Sequence, residues 1–232
     1  MMAGFKAKLI RFRDLAPGTR HFEFESPAWK AAFVPGQFVS VTQEIADDEI
    51  TRAYSIASPP GGNTFAICAN LVGEGHFTPF LFHLKPGDEI HFKGPYGAFI
   101  PRQTLSDSIL VATGTGIAPF RSMLHSDLPA RTERRFTLIF GARYEEGLLY
   151  DEEWKAVTKK WPAFDYRPTL TRPNAQWQGR TGRVQHHVLE CLGERRDRDI
   201  YICGMKEMVD DLRAQLKALG VDRKRIIIEK YD

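Results

Sequence analysis

Along the first hundred residues, apolar and polar positions alternate in short runs. Phe22 and Phe24 alternate with His21, Glu23 and Glu25, a period of two that predicts a half-buried strand. Phe38-Val39-Ser40-Val41, Ala53-Tyr54-Ser55-Ile56, Thr64-Phe65-Ala66-Ile67-Cys68 and Glu89-Ile90-His91-Phe92 have the same character. Turn-forming strings separate them: Ala16-Pro17-Gly18, Pro35-Gly36, Pro59-Pro60-Gly61-Gly62-Asn63 and Lys85-Pro86-Gly87-Asp88. Short strands at near-regular spacing predict a small antiparallel β-barrel, interrupted by one helix over about residues 77–84.

After Pro101 the rhythm changes. Ile109-Leu110-Val111-Ala112 is a continuous apolar run, as in a strand covered on both faces. It leads through Thr113-Gly114-Thr115-Gly116 into a helix with Ile117, Phe120, Leu124 and Leu128 on one face. Strands at 136–140, 164–170, 199–203 and 225–229 then alternate with helices carrying Trp154 and Val157, Val184 and Val188, and Met208, Leu212 and Leu216. Alternation of this kind predicts an α/β doubly wound parallel sheet. The chain therefore reads as two domains, 1–102 a barrel and 103–232 an α/β unit, with the change falling near residues 100–106.

Composition narrows the function classes. At 232 residues, 43% hydrophobic and 26% charged, the chain has enough apolar material for one large core or two small ones, which excludes a disordered or collagen-like polypeptide. No apolar run approaches the ~18 residues of a membrane helix, and the first six residues lack the apolar core of a secretory signal, so a cytoplasmic protein without membrane insertion is expected. Cys68, Cys191 and Cys203 are three in number and far apart, which suits a reducing compartment and rules out a four-thiolate cluster built from this chain alone. The net charge of +3 is too small to imply nucleic acid as a partner. The histidines lack chelating spacing, His186 and His187 being adjacent, so no metal site is expected.

The strongest local signal is Thr113-Gly114-Thr115-Gly116-Ile117-Ala118-Pro119, between a buried strand and a helix. Unpaired amides and the helix dipole favour a phosphate there; glycines admit it closely, and a proline in the first turn costs no hydrogen bond. Pro119 stands where a dinucleotide fingerprint has its third glycine, and no Lys-Ser/Thr follows as in a triphosphate loop. A purely structural turn is the alternative for this string alone.

Four further strings accompany it in order: Arg52-Ala53-Tyr54-Ser55-Ile56-Ala57-Ser58, Gly94-Pro95-Tyr96-Gly97, Cys203-Gly204-Met205 and Glu229-Lys230-Tyr231. In this order, across the change of architecture, the chain resembles the ferredoxin–NADP reductase family of flavoproteins over nearly its whole length. The resemblance implies FAD held by the barrel and NADP(H), or NAD(H), held by the α/β domain. It implies Arg52 on the flavin phosphate, with Ala53 beside it, Tyr54 flat on the isoalloxazine and Ser55 near N5. Gly75, His76, Phe77 and Thr78 would receive the FAD pyrophosphate at a helix start. Thr113, Gly114, Thr115, Gly116 and Pro119 would meet the nicotinamide nucleotide. Cys203, with Gly204 and Met205, would guide the nicotinamide; Glu229 would be the acidic residue near the flavin and Tyr231 its aromatic cover. Asp232 extends past the aromatic at which the family commonly ends.

Arg143, Arg172 and Arg183 stand where NADPH-using relatives clasp the 2′-phosphate, which favours NADPH. Trp177-Gln178-Gly179-Arg180-Thr181-Gly182 and the Glu-Lys-aromatic ending instead resemble NADH-using oxygenase reductases. The resemblance implies hydride transfer from NAD(P)H to FAD, then single electrons to a separate carrier, ferredoxin or flavodoxin. Arg11, Arg13, Arg52, Lys93 and Arg102 would offer such an acidic carrier a positive face. The alternatives are an NADH-dependent reductase of an oxygenase or of free flavin, and an electron-relay subunit without turnover of its own.

Overall fold

A computed structural model describes residues 4–29, 33–45, 48–102, 107–127 and 134–231. Contacts group the chain into two compact units, Met1–Ile100 with Ala118–Ser126, and Pro101–Ile117 with Asp127–Asp232.

The first unit contains strands β1 (Phe5–Ala16), β2 (Thr19–Glu25), β3 (Phe38–Ile45), β4 (Asp48–Ser55) and β5 (Thr64–Asn70), then helix α1 (Phe77–His83) and strand β6 (Glu89–Tyr96). All pair antiparallel in the order β4-β3-β6-β1-β2-β5. The two ends of that order meet: Ile56, just past β4, bridges Ile67 of β5, and the Ala57 N–H donates to the Ala66 carbonyl at 2.7 Å. The expected barrel is closed by these contacts, which leaves fewer open edges. Its interior is aromatic. Phe24 and Phe65 each meet Phe92 at 4.9 Å between ring centroids, edge to face, a preferred geometry for aromatic pairs.

Strand β1 did not stand out in the sequence pattern. Only Ala7 and Leu9 of its twelve residues are buried, and a register shift between Leu9 and Arg11 breaks the alternation. A bulge of this kind displaces the side-chain period, so Lys6, Lys8, Arg11 and Arg13 dominate the local signal.

In chain order the remaining elements are β7 (Ser108–Thr113), α2 (Ile117–Asp127), β8 (Phe136–Ala142), α3 (Asp151–Lys160), β9 (Phe164–Leu170), β10 (Arg180–Thr181), α4 (Val184–Leu192), β11 (Asp199–Met205), α5 (Lys206–Ala218) and β12 (Ile226–Tyr231). The six strands form one parallel sheet in the order β10-β9-β8-β7-β11-β12. Ile109, Val111, Ile139 and Ile202 of the strands form one buried cluster with Val188 of α4 and Leu212 of α5. Trp154 of α3, fully buried, packs against Phe164 and Tyr166 of β9. At the opposite end of the strands from the glycine loop, the buried Asp199 carboxylate accepts from Arg102 at 3.3 Å and from Arg225 at 3.1 Å. Strand order reverses at β7, with β8 on one side and β11 on the other, which creates a crevice at their carboxyl ends suited to a ligand.

No described helix is long and apolar enough to cross a membrane. Among the described residues, no group of three or more His, Cys, Asp or Glu side chains is placed to hold a metal ion.

Candidate active site

In the first unit the strands bring three of the strings together. Phe38 of β3 pairs with Ser55 of β4 on one side and with Tyr96 of β6 on the other. Ser55 is buried, Tyr54 half-buried, and Arg52 and Ala53 are exposed. The Tyr54 ring lies 6.1 Å from that of Phe77, the first residue of α1, so the β4 string and the helix start are neighbours. Burial pushes the Tyr54 phenol well above its ordinary range against the opposing pull of Arg52, so the ring is neutral. Gly75 donates its N–H to the Val72 carbonyl at 2.9 Å, and exposed His76 precedes α1 without a side-chain cap. The Thr78 hydroxyl accepts from the Val72 N–H at 2.8 Å and donates to the Val72 carbonyl at 3.3 Å. It fastens the 72–78 loop, a second task beyond the one the resemblance gives it. A guanidinium, a neutral flat phenol and uncapped helix amides form a donor set that fits a flavin diphosphate.

In the second unit, Thr113 ends β7 and Cys203 lies on the adjacent β11, in register with Ala112. The glycine loop rests directly on that strand: a Cβ at Gly116 would run into the Cys203 carbonyl and stand 2.8 Å from the Gly204 nitrogen. At Gly204 (φ +148°) a Cβ would collide with the Thr113 hydroxyl. That hydroxyl is buried and has no hydrogen-bond partner among the described residues. A close backbone approach with an orphaned donor beside it is what a bound nucleotide would satisfy. Gly114 is exposed, Thr115 half-buried, and Pro119 sits buried in the first turn of α2.

Cys203 pairs with Glu229 of β12, and Met205 with Tyr231. The Cys203 thiol is raised well above its ordinary value, first by burial and then by the Glu229 charge, against a hydrogen bond from Tyr231. It therefore holds its proton. Met205 is exposed, and Tyr231 is half-buried.

Arg143, Arg172 and Arg183 are all exposed, and the Arg172 N–H donates to the Arg143 carbonyl at 2.8 Å. Arg180 of β10 is exposed beside them in sequence and was not among the expected clasp residues. Its signal was a lone arginine in a glycine-rich string, indistinguishable from a surface charge. Of the residues expected to form a positive face, Arg52 and Lys93 are exposed, whereas Arg11 pairs with Glu23 at 2.9 Å and Arg102 with Asp199. Those two pairings offset the charges of Arg11 and Arg102 themselves.

The barrel with its arginine–tyrosine strand and the parallel sheet with its glycine loop define a two-domain oxidoreductase that binds a flavin and a nicotinamide nucleotide. The Oxidoreductase FAD-binding domain family matches residues 6–100 and the Oxidoreductase NAD-binding domain family matches residues 110–214. The chain is 37% identical over 238 residues to "Ferredoxin--NADP reductase B" of Sorangium cellulosum, covering 98% of each protein. It is 28% identical to the toluate 1,2-dioxygenase electron transfer component of Pseudomonas putida, over 99% of this chain and 68% of that one. The fold is shared with a ferredoxin NADP+ reductase from Neisseria gonorrhoeae solved with bound FAD and NADP, at TM-score 0.84 and 24% identity, over 98% of both chains. It is shared too with the Amycolatopsis cytochrome P450 reductase GcoB, at TM-score 0.90 and 23% identity, over 99% of this chain and 70% of that one. The chain belongs to the ferredoxin–NADP reductase family and is an FAD-dependent oxidoreductase.

Proposed function

We propose that this enzyme takes reducing equivalents from NADPH and delivers them singly to a soluble ferredoxin or flavodoxin in the cytoplasm, with residues 1–102 serving the flavin and 103–232 the nucleotide. FAD supplies the conversion of a two-electron hydride into single electrons, which nicotinamide does not perform. The residues of this chain bind and orient. Arg52 holds a phosphate by its planar fork of donors, and Tyr54 offers a neutral ring face. Ser55 contributes a small buried hydroxyl on the same strand. The Thr113 hydroxyl and the 114–116 amides receive the nucleotide phosphates, and Cys203, protonated, forms a polarisable wall for the nicotinamide. Burial first, and then the Glu229 charge, keeps that thiol protonated against the opposing pull of Tyr231.

The observation that carries this reading is the glycine loop seated on the Cys203–Gly204 backbone, with the Thr113 hydroxyl unpartnered among the described residues. Exposed Arg143, Arg172, Arg180 and Arg183 support NADPH, because a 2′-phosphate dianion pairs with guanidinium groups. The test is the visible spectrum of purified protein before and after anaerobic NADPH, followed by kcat/KM for NADPH against NADH and by reduction of ferredoxin and flavodoxin. A flavin spectrum bleached faster by NADPH, with turnover of either carrier, is expected. A protein that stays colourless after reconstitution with FAD, or one that prefers NADH, overturns it.

A second reading, the reductase of an oxygenase, draws on the toluate dioxygenase relative and on the Trp177–Gly182 string. Preference for NADH together with failure to reduce either carrier would favour it.

A further inference from the structure

His187 lies on α4, four residues beyond the exposed Arg183, and is buried. Its Nε2 is 2.9 Å from the Thr181 carbonyl and 3.0 Å from the Thr169 hydroxyl. Thr169, itself fully buried, donates its only proton to the Gly182 carbonyl at 2.9 Å. Its oxygen can therefore only accept from His187, and the Thr181 carbonyl can only accept as well. Both contacts require the proton on Nε2, so the tautomer is fixed. Nδ1 is buried without a hydrogen bond to any described residue, with Glu190 Oε2 at 3.6 Å.

The ring thus gathers two successive peptides. The carbonyls of Thr181 and Gly182 both turn inward, one onto the histidine and the other onto the threonine that the histidine holds. The chain is tied again on either side: Gly182 N–H donates to the Leu170 carbonyl at 2.8 Å, and Trp177 Nε1 donates to the Arg180 carbonyl at 2.9 Å. Strand β10 contributes only two residues to the sheet. Side-chain bonds therefore carry much of the definition of this turn, and its flanking residues are the exposed Arg180 and Arg183.

We propose that His187 is a positioning residue for coenzyme selection: it holds the Thr181–Gly182 turn so that Arg180 and Arg183 present their guanidinium groups to a nucleotide 2′-phosphate. The proposal rests on the NADPH reading above for the identity of the ligand, and on the hydrogen bonds alone for the hold on the turn. A second link in the same contact is Thr169.

The test compares His187→Leu, which deletes the donor, with His187→Gln, which can return one near Nε2, and with Thr169→Val, which keeps the shape and removes the hydroxyl. In the FAD-loaded protein, calorimetric titration with adenosine 2′,5′-bisphosphate is expected to show binding weakened about tenfold in H187L and largely restored in H187Q, the scale of a lost buried hydrogen bond. KM for NADPH should rise alongside with kcat unchanged, while KM for NADH stays within about twofold. Amide hydrogen exchange over residues 178–183 should quicken in H187L and T169V but not in H187Q. Unchanged exchange and binding in H187L overturn the proposal, as do equal rises in KM for both coenzymes. If H187L does not fold, T169V must shift binding and exchange in the same direction, and its failure to do so is decisive. A wild-type protein that binds adenosine 2′,5′-bisphosphate no more tightly than adenosine 5′-monophosphate also overturns it. In that case the fault lies in the 2′-phosphate reading, and the exchange data report separately on the hold.

Discussion

At the scale of single residues, burial fixes the protonation of two groups of the candidate site, Tyr54 and Cys203. Cys203 is the clearest case. Burial and Glu229 raise its thiol, so the folded state keeps a proton that the unfolded chain releases above about pH 8.5. Stability from this group is therefore complete below that pH and declines as pH rises beyond it, because the unfolded state then binds fewer protons than the native one. The thermal midpoint should fall more steeply between pH 8.5 and 10 in the wild type than in Cys203→Ala, as scanning calorimetry at matched ionic strength would show. Iodoacetamide at pH 8 should label Cys203 at least about tenfold more slowly than an unfolded control, since the thiolate is the reactive form. Labelling at the same rate in both states would contradict the burial argument. Candidate site residues were legible in the sequence where their chemistry sits in a contiguous string, as with Arg52, Tyr54 and the 113–119 loop. His187 was not, because its meaning comes from Thr169, eighteen residues away, and from carbonyls that carry no side-chain signature.

At the scale of elements, β7 and β11 followed from their buried apolar runs, and α4 and α5 from apolar stripes at helical spacing. Two elements escaped such patterns. The bulge in β1 spoils its alternation, and β10, at two residues, is shorter than any pattern can register. The loop between β7 and α2 was legible as a glycine-rich strand-to-helix turn, whereas its seat on β11 needed the sheet order. That seat makes a definite demand. Gly116→Ala should cost about 1–3 kcal/mol, since its Cβ meets rigid backbone at Cys203 and Gly204. It should also raise KM for either nicotinamide nucleotide, measured against chemical denaturation of the same variant. An unchanged midpoint would mean the loop can retreat from the strand. At the other end of β11, Asp199→Ala removes the shared partner of Arg102 and Arg225, leaving two guanidinium groups only about a third exposed. A loss of about 2–4 kcal/mol is expected, with nucleotide binding unaffected because the contact lies at the amino ends of the strands.

At the scale of the whole molecule, two units each carry a core of their own, an aromatic one in the barrel and an aliphatic one in the parallel sheet. Calorimetry should resolve two unfolding transitions, FAD raising the midpoint of one and NADP+ that of the other, as binding to the native state of one unit requires. One transition, shifted alike by either ligand, would show that the units unfold together. The division into barrel and α/β unit was legible from the change of rhythm near residue 101. The membership of Ala118–Ser126 in the first unit was not, because that segment is continuous with the glycine loop and reads as the helix that follows it.

The glycine loop and the Cys203–Gly204 strand end are pressed into one floor, though nearly ninety residues apart in sequence. Neither can be redesigned without repacking the other. The arginines at 143, 172, 180 and 183 are all exposed, Arg180 on β10 and the others in connecting segments. If those arginines select the coenzyme as proposed, exchanging one coenzyme for the other becomes a matter of swapping exposed charges one by one while the floor is left as it is.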